Sequence, residues 1–190
     1  GAVVGDPQVG GRYSALTAFG LVPAALIGMN IERLMDNAAR MAEFCNANQT
    51  PEANPGLVLG AYIGCGAKSG RNKLTILTDS DWKPFGNWLE QLIAESSGKV
   101  GKGITPVVNE PLLKADRYRG DRLFVYLKSN GETSEIASKI RANGYPVLTI
   151  EVSNPYDLGS QFYLWEVATP VACSILGVNV FDQPDVQDAK

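Results

Sequence analysis

Between Lys73 and Ser153 the chain alternates two textures. Four short runs, KLTILT (73–78), ITPVVNE (104–110), DRLFVYLKS (121–129) and PVLTIEVS (146–153), are rich in β-branched and aromatic residues and apolar at most positions. Strands apolar on both faces are covered on both faces, which is the condition of a parallel sheet. Segments with helical spacing separate and follow them: Trp82 to Glu95, stopped by Gly98, then GETSEIASKIRANG (131–144), then a long apolar stretch from Asp157 to Leu176. The alternation predicts the α/β class, a three-layer αβα sandwich around a doubly wound, mainly parallel sheet. A chain of 190 residues, 45% of them hydrophobic, is enough for one domain with its own core. One domain is therefore expected over residues 1–190.

The first third reads as helical. Ser14 is the expected N-cap of a helix over 14–28, whose small apolar run SALTAFGLVPAALIG suits close packing. A second helix is expected over 31–46, with Ile31, Leu34, Met35, Ala38, Ala42 and Cys45 on one face and Glu32, Arg33, Asp36 and Arg40 opposite. NQTPEANPG is a loop, and LVLGAYIGCGAKSG (57–70) is a glycine-rich helix. Residues 98–120 predict a long connection holding an edge strand or a subunit contact. The tail FDQPDVQDAK opens a last helix around Pro184. The most apolar run, Phe162 to Val180, is broken by Glu166, Pro170 and Ser174, so it is read as a buried core helix and not as a membrane span.

Several function classes are excluded at this level. A net charge of −3 argues against a nucleic-acid or anionic-membrane surface, while leaving room for a local basic pocket. There is no histidine, which removes a Cys/His zinc site and a histidine-based triad from within this chain. Cys45, Cys65 and Cys173 lie far apart among apolar neighbours, and they predict reduced, buried thiols in a cytoplasmic setting. GAVVGDPQVGG has neither the basic nor the apolar region of a secretory signal.

Three stretches carry chemistry. In VGGRYS, Gly10 and Gly11 permit close backbone approach, and Arg12 precedes a helix start, a place suited to an oxyanion. A tight turn with Arg12 in a surface ion pair would look the same. In IAESSGK, Glu95 sits at a helix C-terminus, where a carboxylate opposes the macrodipole and is held at higher free energy, as suits a base. A solvated helix-end glutamate is the plain alternative. In FDQPDVQDAK, Gln183 and Lys190 stand seven residues apart, two helical turns, and can face one way. SNGETSE (129–135) has the strand–loop–helix context of a phosphate cradle. Glu132 sets a negative charge there, so the segment is read as a capped helix start and not as a phosphate loop.

Together, and in this order, GGRYSALTAFGLVPAALIG, ESSGK and FDQPDVQDAK resemble the signature segments of glucose-6-phosphate isomerase, with wording similar to the isomerase part of transaldolase/glucose-6-phosphate isomerase fusions. The resemblance implies the sugar-isomerase (SIS) type of doubly wound fold. It runs from the start of the chain to its last residue but corresponds to the second half of the catalytic module, so a first SIS domain is expected upstream. It implies aldose–ketose isomerisation of glucose 6-phosphate and fructose 6-phosphate through a cis-enediolate, with no metal and no redox cofactor. Glu95 would move the proton between C1 and C2, Arg12 would stabilise the enediolate, and Lys190 would act in ring opening. Gln183 would lie near the substrate phosphate, and Gly10 and Gly11 would let the backbone approach the sugar. A homodimer would be the working form. The chain departs from the family pattern at Ser97, where Asn is common, and at Asp185, where Gly or Ala is usual. The family also often takes a histidine from a neighbouring subunit. A sugar-phosphate-binding or dimerisation module without catalysis is the alternative.

Overall fold

A computed structural model describes residues 4–99, 101–111 and 113–182. Four strands, β1 (Lys73–Thr78), β2 (Thr105–Val107), β3 (Arg122–Lys128) and β4 (Val147–Glu151), form one sheet in the order β2-β1-β3-β4. All three pairings are parallel. Six helices accompany them: α1 (Ala18–Leu26), α2 (Ile31–Phe44), α3 (Pro55–Lys68), α4 (Lys83–Ser97), α5 (Ser134–Ala142) and α6 (Asp157–Leu176).

The strand order fixes which face each helix covers. From β1 the chain steps outward one way to β2, and from β3 it steps the other way to β4. Right-handed crossovers then place α4 and α5 on opposite faces. The side chains agree. Leu74 and Ile76 of β1 and Leu123, Val125 and Leu127 of β3 pack with residues of α3, α4 and α6, including Leu59, Leu89, Leu92 and Trp165. Leu77, Phe124 and Tyr126 point the other way, onto Ala137 and Ile140 of α5. The expected three layers are present, with the thicker helical layer on the α6 side.

Helix α6 spans Asp157–Leu176 as its pattern predicts, and Trp165, Ala168, Ala172 and Cys173 are buried. It packs against α3 through a stripe of glycines at spacing four, Gly56, Gly60 and Gly64. A β-carbon on Gly60 would meet the Ala168 carbonyl at 2.6 Å and Val171 Cβ at 2.5 Å. The glycines therefore let two backbones approach, at a helix-interior cost of about 0.5–1 kcal/mol each. Helix α6 ends in a left-handed turn at Gly177, whose φ is +67°, and the Val178 amide bonds back to the Cys173 carbonyl at 3.0 Å. That closure turns the chain sharply toward the amino-edge end of the sheet. Among the described residues no helix is long and apolar enough to cross a membrane.

Several expectations change. The helix expected from Ser14 begins at Ala18 with Thr17 as its cap, because residues 11–13 form a separate 3₁₀ turn and the Ser14 hydroxyl donates to the Gly11 carbonyl instead. Helix α1 buries no residue fully, and Phe19, Leu26 and Ile27 are exposed, so much of its small apolar run is left uncovered by the described residues. Cys65 is exposed and only Cys173 is fully buried. Met35 lies on the exposed side of α2, whose buried positions are Leu34 and Ala38. The helix expected around Pro184 lies outside the described residues.

Candidate active site

The parallel topology sends each strand-to-helix crossover back along the sheet. Helices α4 and α6 therefore both end outside the amino ends of the strands. Glu95 occupies the last turn of α4, and Asn179–Asp182 follow the end of α6 at the same level. The 3₁₀ turn carrying Arg12 completes the group. Arg12 is buried, and its Nη2 donates to the Val180 carbonyl at 2.8 Å. Its Nη1 reaches Glu95 Oε2 at 3.4 Å. Glu95 Oε1 accepts from the Gln91 amide at 3.2 Å, one helical turn back. Arg12 and Glu95, 83 positions apart, are thus brought together. The carboxylate's unfavourable place at a helix C-terminus is offset by a buried guanidinium and an amide donor.

The Arg12–Glu95 contact is long for a hydrogen bond, and the Glu95 side chain is 49% exposed. A loose, half-solvated pair of this kind adds little stability. Both groups therefore remain available to a third partner. Gly10 and Gly11 directly precede Arg12, and nothing lies within 4 Å of where a β-carbon on Gly11 would stand. Gln183 and Lys190 lie outside the described residues. The strand of chain that leads to them is described as far as Asp182.

Sequence reasoning missed three residues here. Lys99, only 5% exposed, follows α4 and donates from Nζ to the Asn179 carbonyl and to the Asp182 carbonyl at 2.6 Å, with Asp182 Oδ1 as an ion-pair partner 2.8 Å away. Tyr13 packs its ring 5.7 Å from that of Phe181, and burial pushes its hydroxyl up to about 12. Glu166, on the α6 stripe between Phe162 and Cys173, is pushed up to about 8 by burial. Phe162 touches Phe85 and Trp88, and the Cys173 thiol reaches the Ser96 carbonyl at 3.6 Å, so this stripe faces α4. Arg12 Nε, Tyr13 Oη, Ser96 Oγ and Glu166 Oε1 are all buried with no well-formed hydrogen bond among the described residues, the Tyr13 and Ser96 hydroxyls facing each other. Ser97, the departure from the usual Asn, is buried and structural. It donates to the Ile93 carbonyl at 2.7 Å and accepts from the Ile104 amide at 2.9 Å, tying the end of α4 to the start of β2.

The opposite end of the sheet looks different. Asp79, directly after β1, is fully buried beneath the SNGETSE loop. Its Oδ2 accepts from the amides of Ser129 (2.9 Å), Asn130 (3.1 Å) and Gly131 (2.8 Å). Its Oδ1 accepts from the Thr133 amide (2.9 Å) and the Tyr126 hydroxyl (2.8 Å). The loop is a capped helix start, as expected, but Asp79 and not Glu132 fills its amide cradle. Glu132 instead accepts from the Ser80 amide and hydroxyl. Burial alone would raise the Asp79 carboxyl, and the converging donors outweigh it and hold the group down to about 2. Two crevices, of about 430 and 680 Å³, also open at this end, and neither is lined by Arg12, Glu95 or Lys99.

Comparison with known proteins first defines a class. The fold is that of a doubly wound α/β domain also found in a glucose-6-phosphate isomerase structure. A Chlamydia trachomatis glucose-6-phosphate isomerase superposes with a TM-score of 0.73 at 16% identity, over 95% of this chain and 46% of that one. A Thermus thermophilus protein described as hypothetical gives 0.78 at 20% identity, over 96% and 54%. No family model matches the chain. At the level of sequence its relatives are glucose-6-phosphate isomerases. That of Carboxydothermus hydrogenoformans is 30% identical across 97% of this chain and 50% of its own length, and that of Methanocaldococcus jannaschii is 27% identical across 96% and 55%. The chain spans about half the length of the curated relatives it matches.

Proposed function

We propose that this chain is the second SIS domain of a glucose-6-phosphate isomerase and supplies acid–base residues for the interconversion of glucose 6-phosphate and fructose 6-phosphate. The observation that carries the reading is the meeting of Arg12 and Glu95 at 3.4 Å, from segments 83 positions apart. In the proposed reaction Glu95 removes the proton from C2 of the opened aldose and returns it to C1. The enediolate oxygens develop negative charge in that step, and Arg12, already buried and fixed by Val180, meets the charge without reorganising. Lys190 acts in ring opening, Gln183 lies near the phosphate, and the open side of Gly10 and Gly11 takes the sugar. The substrate phosphate is held by the other half of the molecule, since the amide cradle at the carboxyl end of this sheet is already filled by Asp79. A first SIS domain, a homodimer, a cytoplasmic location and fusion to a transaldolase belong to the same proposal. The uncovered apolar residues of α1 support a larger assembly.

The test is Glu95→Gln in a protein spanning the full length of the relatives. Removing a positioned base lowers turnover by about 10²–10⁴-fold. Retention of more than about a tenth of the activity overturns the assignment. If Arg12→Ala weakens 6-phosphogluconate binding in calorimetry but neither variant changes turnover, the chain is a binding module without catalysis.

A further inference from the structure

Lys99 stands four residues past Glu95, in the same ESSGK segment, yet its environment is unlike that of a group awaiting substrate. An ammonium has three N–H donors. Three oxygens surround Lys99 Nζ: it donates to the carbonyls of Asn179 and Asp182, and the Asp182 carboxylate pairs with its charge. The group is spent on contacts within the protein, and the residue is 5% exposed. Nearby cations hold the same stretch. Lys102 Nζ donates to the Leu176 carbonyl at 3.3 Å, and Arg12 Nη2 donates to the Val180 carbonyl. The backbone of Lys99 is in turn fixed, since its amide and that of Lys102 exchange 3.0 Å bonds with each other's carbonyls.

We propose that Lys99 is a positioning residue whose task is to dock residues 179–182, the segment following α6, so that the Val180 carbonyl is presented to Arg12 beside Glu95. Its relevance to turnover rests on the isomerase reading above, while the docking itself does not. The anchor explains why a buried ammonium is tolerated next to a helix C-terminus: the end of the α4 dipole and three oxygens surround it. It also makes the placements of Arg12 and Lys99 mutually dependent, because both grip carbonyls within residues 179–182.

Hydrogen exchange measured on this chain tests the docking. In Lys99→Met, amides of residues 178–182 should exchange at least tenfold faster while those of β3 stay unchanged, and Lys99→Arg should restore part of the protection. Exchange within twofold of the parent overturns the docking. Should Lys99→Met unfold the chain, Asp182→Ala removes the paired carboxylate and should speed exchange at 181–182 about threefold, and no change there overturns it equally. In a protein of full length, Lys99→Met should lower kcat at least tenfold with KM moving less than threefold, and Lys99→Arg should recover part of the loss. Faster exchange with unaltered kcat overturns the catalytic role. If Glu95→Gln leaves turnover intact, the isomerase reading fails while the exchange result still decides the anchor.

Discussion

The two ends of the sheet handle buried charge in opposite ways. At the carboxyl end, Asp79 gathers four amides and a hydroxyl, and the loop after β3 closes on itself. At the amino end, Arg12 and Glu95 meet loosely, and four buried polar atoms near them make no well-formed hydrogen bond among the described residues. Open α/β sheets usually bind ligands outside the carboxyl ends of their strands. Here the amide cradle at that end is filled from within by Asp79, although two crevices open beside it and Ser129 Oγ of its loop is buried with no hydrogen bond among the described residues. The carboxyl end saturates its buried charge with donors, whereas the amino end meets its own with one long contact.

The largest expected effect tests the closed end. Asp79→Ala leaves four amides without their acceptor, and should cost about 4 kcal/mol in urea unfolding. A loss below about 1 kcal/mol would mean that the cradle is not what holds the loop. The same carboxylate gives the fold an acid limit. Its folded value, about 2, lies below its ordinary 3.8, so its stabilisation is fully present above 3.8 and is lost as pH falls toward 2. Fully buried, it should contribute about 2 kcal/mol to that limb, and Asp79→Asn should lack it.

The open end should respond in the other direction. The Glu166 carboxyl is pushed up from 4.5 to about 8 by burial. A raised folded value stabilises fully below 4.5 and less and less as pH rises through 8. The melting temperature should therefore decline between pH 5 and 8, and Glu166→Gln should flatten that decline. Tyr13 and Cys173, held up to about 12 and 11 by burial, do not titrate in this window. A variant that melts with the same slope as the parent would remove Glu166 from the contrast. The smallest effect belongs to Tyr13→Phe, because its hydroxyl faces only that of Ser96 and makes no well-formed hydrogen bond among the described residues. Its unfolding free energy should stay within about 0.5 kcal/mol of the parent. A loss above 1 kcal/mol would show that the hydroxyl is satisfied after all.

Much of the architecture was legible from periodicity. The apolar density of KLTILT and DRLFVYLKS fixed a sheet covered on both faces, and α6 begins and ends where its pattern and Gly177 place it. Arg12 and Glu95 were legible as residue types in suggestive positions. Their meeting was not, since it depends on where α4 and the 3₁₀ turn end in space. Asp79 was invisible for a related reason: its partners lie about 50 positions away and are adjacent only because β3 pairs with β1. Lys99 needed the return of the chain 80 and more residues later. Glu166 was seen only as an interruption of an apolar run. The exposure of α1 went unread because an apolar helix looks the same whether its cover comes from its own domain or from elsewhere.

The grip on the α6 tail falls almost entirely on main-chain oxygens, those of Leu176, Asn179, Val180 and Asp182. A handhold of that sort makes no direct use of the side chain each position bears. Side chains bear on the latch indirectly, through the burial of Val180 and the Asn179 Oδ1 that accepts from the Phe181 amide, whereas a proline nearby, by bending the path of those oxygens, would spring it.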